Sequence, residues 1–291
     1  MSKIEEALKK IRSQGDGSTP KSVTDPKRQL VPSDDQSPEL SLHAPSEHRI
    51  ARMGESRYLD KADLIRHRII FPEMDDGDVV NAFREARTKI LQATGGRNCS
   101  ILVTSTSQAA GCSFVALNLA VAFTFDEAKS ALLMDCNIEQ SAYHGLIDKQ
   151  PGLGLGDYLE SDDVSVDQII HPVGIPRLRV IPAGQQPTSN REYFTSMRMR
   201  QLLKGVHERY PDRYIIMDAP PIMEAADTRI LADVSDHVLL VAAYGQTTES
   251  QIARAVKAIG KQKLLGIVFN NEPRLPKIFR ASRQQASTVR S

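Results

Sequence analysis

The sequence predicts an α/β fold, a mostly parallel sheet with helices on both faces. Three observations predict it. Short apolar runs recur along the chain at 100–105 (SILVTS), 130–135 (SALLMD), 178–183 (LRVIPA), 214–219 (YIIMDA), 237–243 (HVLLVAA) and 264–270 (LLGIVFN). Most are continuous rather than alternating, as strands buried on both faces are. Helical patterns at 112–127, 195–210, 226–233 and 247–262 separate them, which implies parallel pairing through helical crossovers. Finally, two runs close on an aspartate and the first runs into a small-residue loop. In such sheets, ligands gather at the carboxyl ends of the strands.

Taken in order, residues 1–13 read as a short amphipathic helix. Ser2 and Glu5 form a capping box, and Ile4, Leu8 and Ile11 share a face. A helix this short is marginal alone and frays unless it docks on something. Residues 14–77 read as a mostly disordered linker. The stretch 14–48 is rich in Ser, Pro, Asp, Gln and Lys, while 49–77 mixes many charges with some helix formers. The folded domain is expected over 78–272. It opens with a helix in which Val79, Phe83 and Ile90 fall at helical spacing, with Arg84 and Arg87 on the polar side. Residues 273–291 form a flexible tail carrying five basic residues, from Arg274 to Arg290.

Composition narrows the function classes. At 291 residues and 41% hydrophobic content the chain can bury a sizeable core. A net charge of +1 gives no bulk pull toward nucleic acid or anionic membrane. The cysteines Cys99, Cys112 and Cys136 form no disulfide framework and suit a reducing compartment. No signal-peptide core opens the chain. The longest apolar run, near 114–125, contains Asn118 and falls short of the ~20 residues a membrane span needs. The expectation is a soluble, cytoplasmic chain, peripheral to the inner face of the membrane only through a partner.

The chemistry concentrates at the strand ends. "VTSTSQAAGCSF" (103–114) has the layout of a phosphate-binding loop: strand, small-residue turn, glycine, hydroxyl, apolar helix. In the pattern G-x-x-x-x-G-K-[ST] the lysine bridges phosphates and the hydroxyl holds Mg²⁺. Here Thr106 stands at the first glycine, Gly111 and Ser113 remain, and Cys112 stands where the lysine belongs. Asp135 and Asp218 close their strands in the Walker B layout, which holds a magnesium shell or positions water. Each aspartate alone is an ordinary strand-end cap; two, in order after such a turn, point further.

With those residues in view, 78–272 resembles the cytoplasmic module of the bacterial tyrosine kinases of polysaccharide biosynthesis, relatives of the MinD/ParA-like P-loop ATPases. "AFREARTKIL" is similar to the family's leading helix and "ALLMDCNIEQSAYH" to its D-x-D-x-R-x-P-x-x-H motif. In "YIIMDAPPIMEAADTRILADVSDHVLLVA", Asp218, Pro220, Pro221 and Asp227 all match. The resemblance implies a P-loop NTPase-like fold and ATP or ADP with Mg²⁺ as ligands. It implies nucleotide binding at Ala110, Gly111, Cys112, Ser113, Phe114 and Asn270, with metal at Ser113, Asp135 and Asp218. Asp135 and Asp218 would be the catalytic pair, vestigial or weak.

The departures shape the expectation. The family's Pro-Gly-x-Gly-Lys-Ser reads Gln108, Ala109, Ala110, Gly111, Cys112, Ser113; the second motif has Asn137 for its second aspartate and Glu139 for its arginine. The final 47 residues contain no tyrosine to match the family's phosphorylated tail. Losing one charge-stabilising group typically costs ~10²–10⁵ in rate. At a helix N-terminus the Cys112 thiol should have a depressed pKa and be reactive; otherwise it is a neutral filler. "GLGLG" (152–156) reads as a flexible loop and His144, at a family position, as structural. Arg84 and Arg87 match two arginines of the family's E-x-x-R-x-x-R oligomerisation motif, with Asn81 replacing the acid. The reading is a catalytically impaired kinase homologue, a regulator or scaffold of a membrane polysaccharide co-polymerase or export protein, with homo-oligomerisation open. The alternatives are an active kinase or ATPase that borrows a lysine, and a partition-type ATPase relative.

Overall fold

The computed structural model describes residues 58–74, 77–143, 146, 152–185 and 193–272. The helix expected over 1–13, His144 and the tail 273–291 lie outside them.

The described chain runs α1 (Lys61–Arg66), α2 (Gly77–Thr94), β1 (Ser100–Ser105), α3 (Cys112–Phe123), β2 (Ser130–Asp135), α4 (Leu155–Glu160), α5 (Val166–Ile169), β3 (His171–Pro172) and β4 (Leu178–Ile181). A 3₁₀ turn (Tyr193–Thr195) leads into α6 (Met197–Arg209), β5 (Arg213–Asp218), α7 (Ala226–Val234), β6 (His237–Ala243), α8 (Glu249–Ile259) and β7 (Leu264–Asn270). The sheet order is β3-β4-β2-β5-β1-β6-β7. All pairs are parallel except β3 with β4. This is the mostly parallel α/β architecture that the apolar runs predict. β1, β2 and β5 are buried along their whole length, which explains why they show no alternation.

The two faces of the sheet carry separate cores. One packs Ile101 and Val103 against α2 and α3; the other packs Leu102, Leu132 and Ile215 against α4 through α8. α3 is apolar all round and buried from Val115 to Phe123, as expected of a helix with no solvent face.

Element ends follow local chemistry. Ser196 caps α6 by accepting from the Met199 N–H, and Thr248 caps α8 through Gln251. β4 stops at Ile181, before Pro182, short of the 178–183 run. The "GLGLG" stretch is not a free loop: Gly154 starts α4 and packs so tightly on the Gly184 backbone and the Pro182 carbonyl that a Cβ would overlap both.

The folded body also begins earlier than Asp78. Ile69, Ile70 and Phe71 are buried in the first core, although the sequence there reads as linker. The anchor is Asn118, fully buried on α3. Its Oδ1 accepts from the Ile70 N–H at 2.8 Å, and its Nδ2 donates to the Arg68 and Phe114 carbonyls, each at 3.0 Å. A buried polar residue must spend its hydrogen bonds inside, and here they hold a segment 48 residues away. Asn118→Leu leaves those groups unpaired. It is expected to cost about 2 kcal/mol, read as a lowered urea midpoint, with 58–74 becoming protease-sensitive first.

Candidate functional site

The parallel register brings the carboxyl ends of β1, β2 and β5 together. Asp135 and Asp218 are register partners on adjacent strands, and Val103 pairs with Asp218 on the other side. The loop from β1 to α3 arches over them. Ala109 and Gly111 both take left-handed backbone conformations, φ 58° and 83°. The resemblance puts glycine at both positions, so the loop keeps its shape with alanine in one of them, at a backbone cost of roughly 1–2 kcal/mol. Gly111 admits no Cβ, because the Asn270 side-chain amide fills that space; Asn270 Nδ2 donates to the Ala110 carbonyl at 2.9 Å. The end of β7 thus holds the loop closed, with the first-turn N–H groups of α3 following Gly111.

A pocket of about 730 Å³ opens beside this loop. It is lined by loop residues 108–114, by Asn137 and Glu139 after β2, and by Glu224 and Asp227 after β5. Among the described residues, no Lys, Arg or His lines it.

The strand ends beneath the loop, behind the residues that line the pocket, are buried and acidic. Asp218 Oδ2 accepts from the Tyr143 hydroxyl at 2.7 Å, and that hydroxyl also lies 3.2 Å from the Ser113 carbonyl. Burial raises the Asp218 pKa, against hydrogen bonds from Ser113, Tyr143 and Cys112. Asp135 Oδ2 accepts from Ser141 Oγ at 2.5 Å and Oδ1 from the Asn137 N–H at 3.1 Å. Burial, aided by the charge of Asp218 and opposed by the Ser141 bond, pushes Asp135 up to about 7. Burial thus disfavours the ionised form of both carboxylates.

Cys112 occupies the lysine position and turns inward. Its Sγ lies 3.3 Å from the Val103 carbonyl and 3.6 Å from the Ala219 carbonyl, both within reach of its single S–H. Burial and Asp218 raise its pKa well above the ordinary thiol value. This corrects the sequence expectation of a depressed pKa: the helix terminus favours a thiolate, but desolvation and the neighbouring carboxylate outweigh it.

The loop residues, Asp135, Asp218 and Asn270 therefore converge on one site, whereas Arg84 and Arg87 do not. Arg87 Nη1 donates to the Ala122 carbonyl at 2.9 Å, at the far end of α3, ~18 Å along a helix of 12 residues. Arg84 lies over the Phe125 ring at 5.6 Å. Sequence reasoning missed Ser141 and Tyr143, the residues that satisfy the two aspartates. Ser141 stands at the proline of the D-x-D-x-R-x-P-x-x-H motif, a departure that could have marked it, whereas Tyr143 occupies an unspecified position and no signal marks it.

Magnesium is implied by the resemblance, and this arrangement does not suit it. A hard cation needs ionised, outward-facing oxygens. Here both Asp135 oxygens and Asp218 Oδ2 accept protein hydrogen bonds, and Asn137 replaces a carboxylate. Among the described residues no cluster of His, Cys, Asp or Glu could hold a metal ion.

No protein-family profile matches the chain. Among curated proteins, the tyrosine-protein kinase YwqD of Bacillus subtilis is 32% identical over 193 residues, spanning 65% of this chain and 80% of that protein. The putative tyrosine-protein kinase EpsB of Ralstonia solanacearum is 30% identical over 200 residues, spanning 67% of this chain; the chain covers only 26% of that longer protein. The solved kinase domain of the Escherichia coli tyrosine kinase ETK superposes with a TM-score of 0.61 at 21% identity, over 81% of this chain and 98% of that one, which supports the fold. With a strand-end aspartate pair under a glycine-closed loop, and four-fifths of the Bacillus protein matched, the chain belongs to the bacterial tyrosine-protein kinase family.

Proposed function

We propose that this chain is an impaired tyrosine-kinase homologue of exopolysaccharide biosynthesis or export, which binds a nucleotide weakly and acts as a regulator or scaffold for a membrane polysaccharide co-polymerase carried on a separate chain. The observation that carries the impairment is Cys112: its thiol faces carbonyls at the strand ends where a lysine would reach phosphate, and no described cation lines the pocket in its place. Phosphoryl transfer depends on charge stabilisation, and no Lys, Arg or His among the described lining residues supplies it. Binding rests on what remains, the backbone N–H groups of the loop and the N-terminus of α3.

Pathway, partner and a place at the cytoplasmic face of the membrane follow from the family likeness. No described helix is long and apolar enough to cross a membrane, which fits a partner that supplies the anchor. Homo-oligomer formation through the α2 face that carries Arg84 belongs to the same reading, with Arg87 better explained as a strut for α3.

Calorimetric titration with ATP and ADP tests the binding. Weak binding is expected, and Cys112→Lys should tighten ATP by about ten- to a hundredfold, the worth of one charge-assisted hydrogen bond. No heat from either nucleotide at millimolar concentration would remove the binding half of the proposal. ATP turnover by the purified wild type that Asp218→Ala abolishes would remove the impairment half.

A further inference from the structure

The mismatch with magnesium has a specific origin in Tyr143. Its ring is buried, with 3% of its surface exposed. Its hydroxyl donates to the Asp218 carboxylate at 2.7 Å and lies 3.2 Å from the Ser113 backbone carbonyl; Asp218 is one of the carboxylates that would hold a cation. A phenol offers one proton, and the shorter contact gives it to Asp218. What a cation would do for that carboxylate, a neutral hydrogen bond does instead. Ser141 and the Asn137 N–H treat Asp135 in the same way. Both Asp135 oxygens and Asp218 Oδ2 thus face protein donors.

We propose that Tyr143 is a built-in substitute for the divalent cation, so that the pocket takes a nucleoside diphosphate without metal. This rests on the nucleotide reading above and specifies the form of the ligand. The diphosphate would lie on the uncharged donors of the loop. Ligands with more negative charge are disfavoured, because the Glu224 carboxylate lines the pocket. A pocket of about 730 Å³ is ample for a nucleotide.

Two measurements on the full-length chain test this. Manganese binding is followed by electron paramagnetic resonance, with and without ADP, and ADP affinity is measured calorimetrically in magnesium and in EDTA. The wild type is expected to bind no manganese in either state and to hold ADP equally in both buffers. Tyr143→Phe keeps the ring and removes the hydroxyl. It should bind one manganese ion and hold ADP at least about tenfold more tightly with magnesium than with EDTA, a difference of ~1.4 kcal/mol. A wild-type manganese site that Asp218→Asn removes, or wild-type ADP binding that weakens tenfold in EDTA, overturns the proposal. So does a Tyr143→Phe protein with a native circular dichroism spectrum that remains blind to manganese. If ADP binds to none of these proteins the nucleotide reading fails, and nucleotide-free manganese binding decides the role of Tyr143: metal on the variant alone upholds it, and any other result overturns it.

Discussion

Asp135→Asn is expected to stabilise the protein by about 2–4 kcal/mol at pH 8 while changing it little at pH 4. The folded-state pKa of Asp135 is raised to about 7, against ~3.9 in an unfolded chain. Between those values the folded state holds a proton that the unfolded state has released. The stability due to this proton is complete below pH ~4 and is lost as pH rises through ~7. Asparagine carries no such proton, so the wild type should fall behind the variant over this window. Asp218 is raised in the same direction by burial but is present in both proteins and largely cancels. Urea unfolding of both proteins at pH 4, 6 and 8 gives the difference directly. A difference that stays flat across the three values would show that Asp135 is ionised in the folded state throughout.

The second large effect concerns the loop. Gly111→Ala should cost about 3 kcal/mol and abolish measurable ADP binding. The residue sits at φ 83°, and its Cβ would enter the space of the Asn270 amide. The left-handed backbone costs an alanine roughly 1–2 kcal/mol, and displacing Asn270 forfeits its bond to the Ala110 carbonyl, worth about 1 kcal/mol. A cycle with Asn270→Ala separates the two costs. Relieving the clash should make the double variant less unstable than the sum of the singles, because residues in contact do not add. Strict additivity would mean that Asn270 does not press on the loop.

Much of the architecture is legible in the sequence because burial on two faces leaves a plain mark. After Ser130 and Tyr214, SALLMD and YIIMDA are apolar until the chain reaches Asp135 and Asp218. Their order after a glycine-closed turn is enough to place the pocket. Other features lie in relations that no local pattern carries. Ile69 and Ile70 sit in a charged stretch, and only Asn118, far along the chain, shows that they are core. Position alone says that Cys112 begins a helix, but not that its sulfur turns toward the strand carbonyls, which reverses the sign of its pKa shift. Tyr143 reads as one more residue in an irregular loop until the fold lays its hydroxyl against Asp218.

Asn118 has one more consequence. It is bonded at once to Arg68, to Ile70 and to Phe114 in the first turn after the glycine loop. The leading segment and the turn that follows the glycine loop therefore share a mechanical hinge pin. Tension applied to the chain ahead of α1 reaches the pocket through two or three hydrogen bonds and one turn of helix, without crossing the sheet. A tether attached there would act as a lever on the pocket.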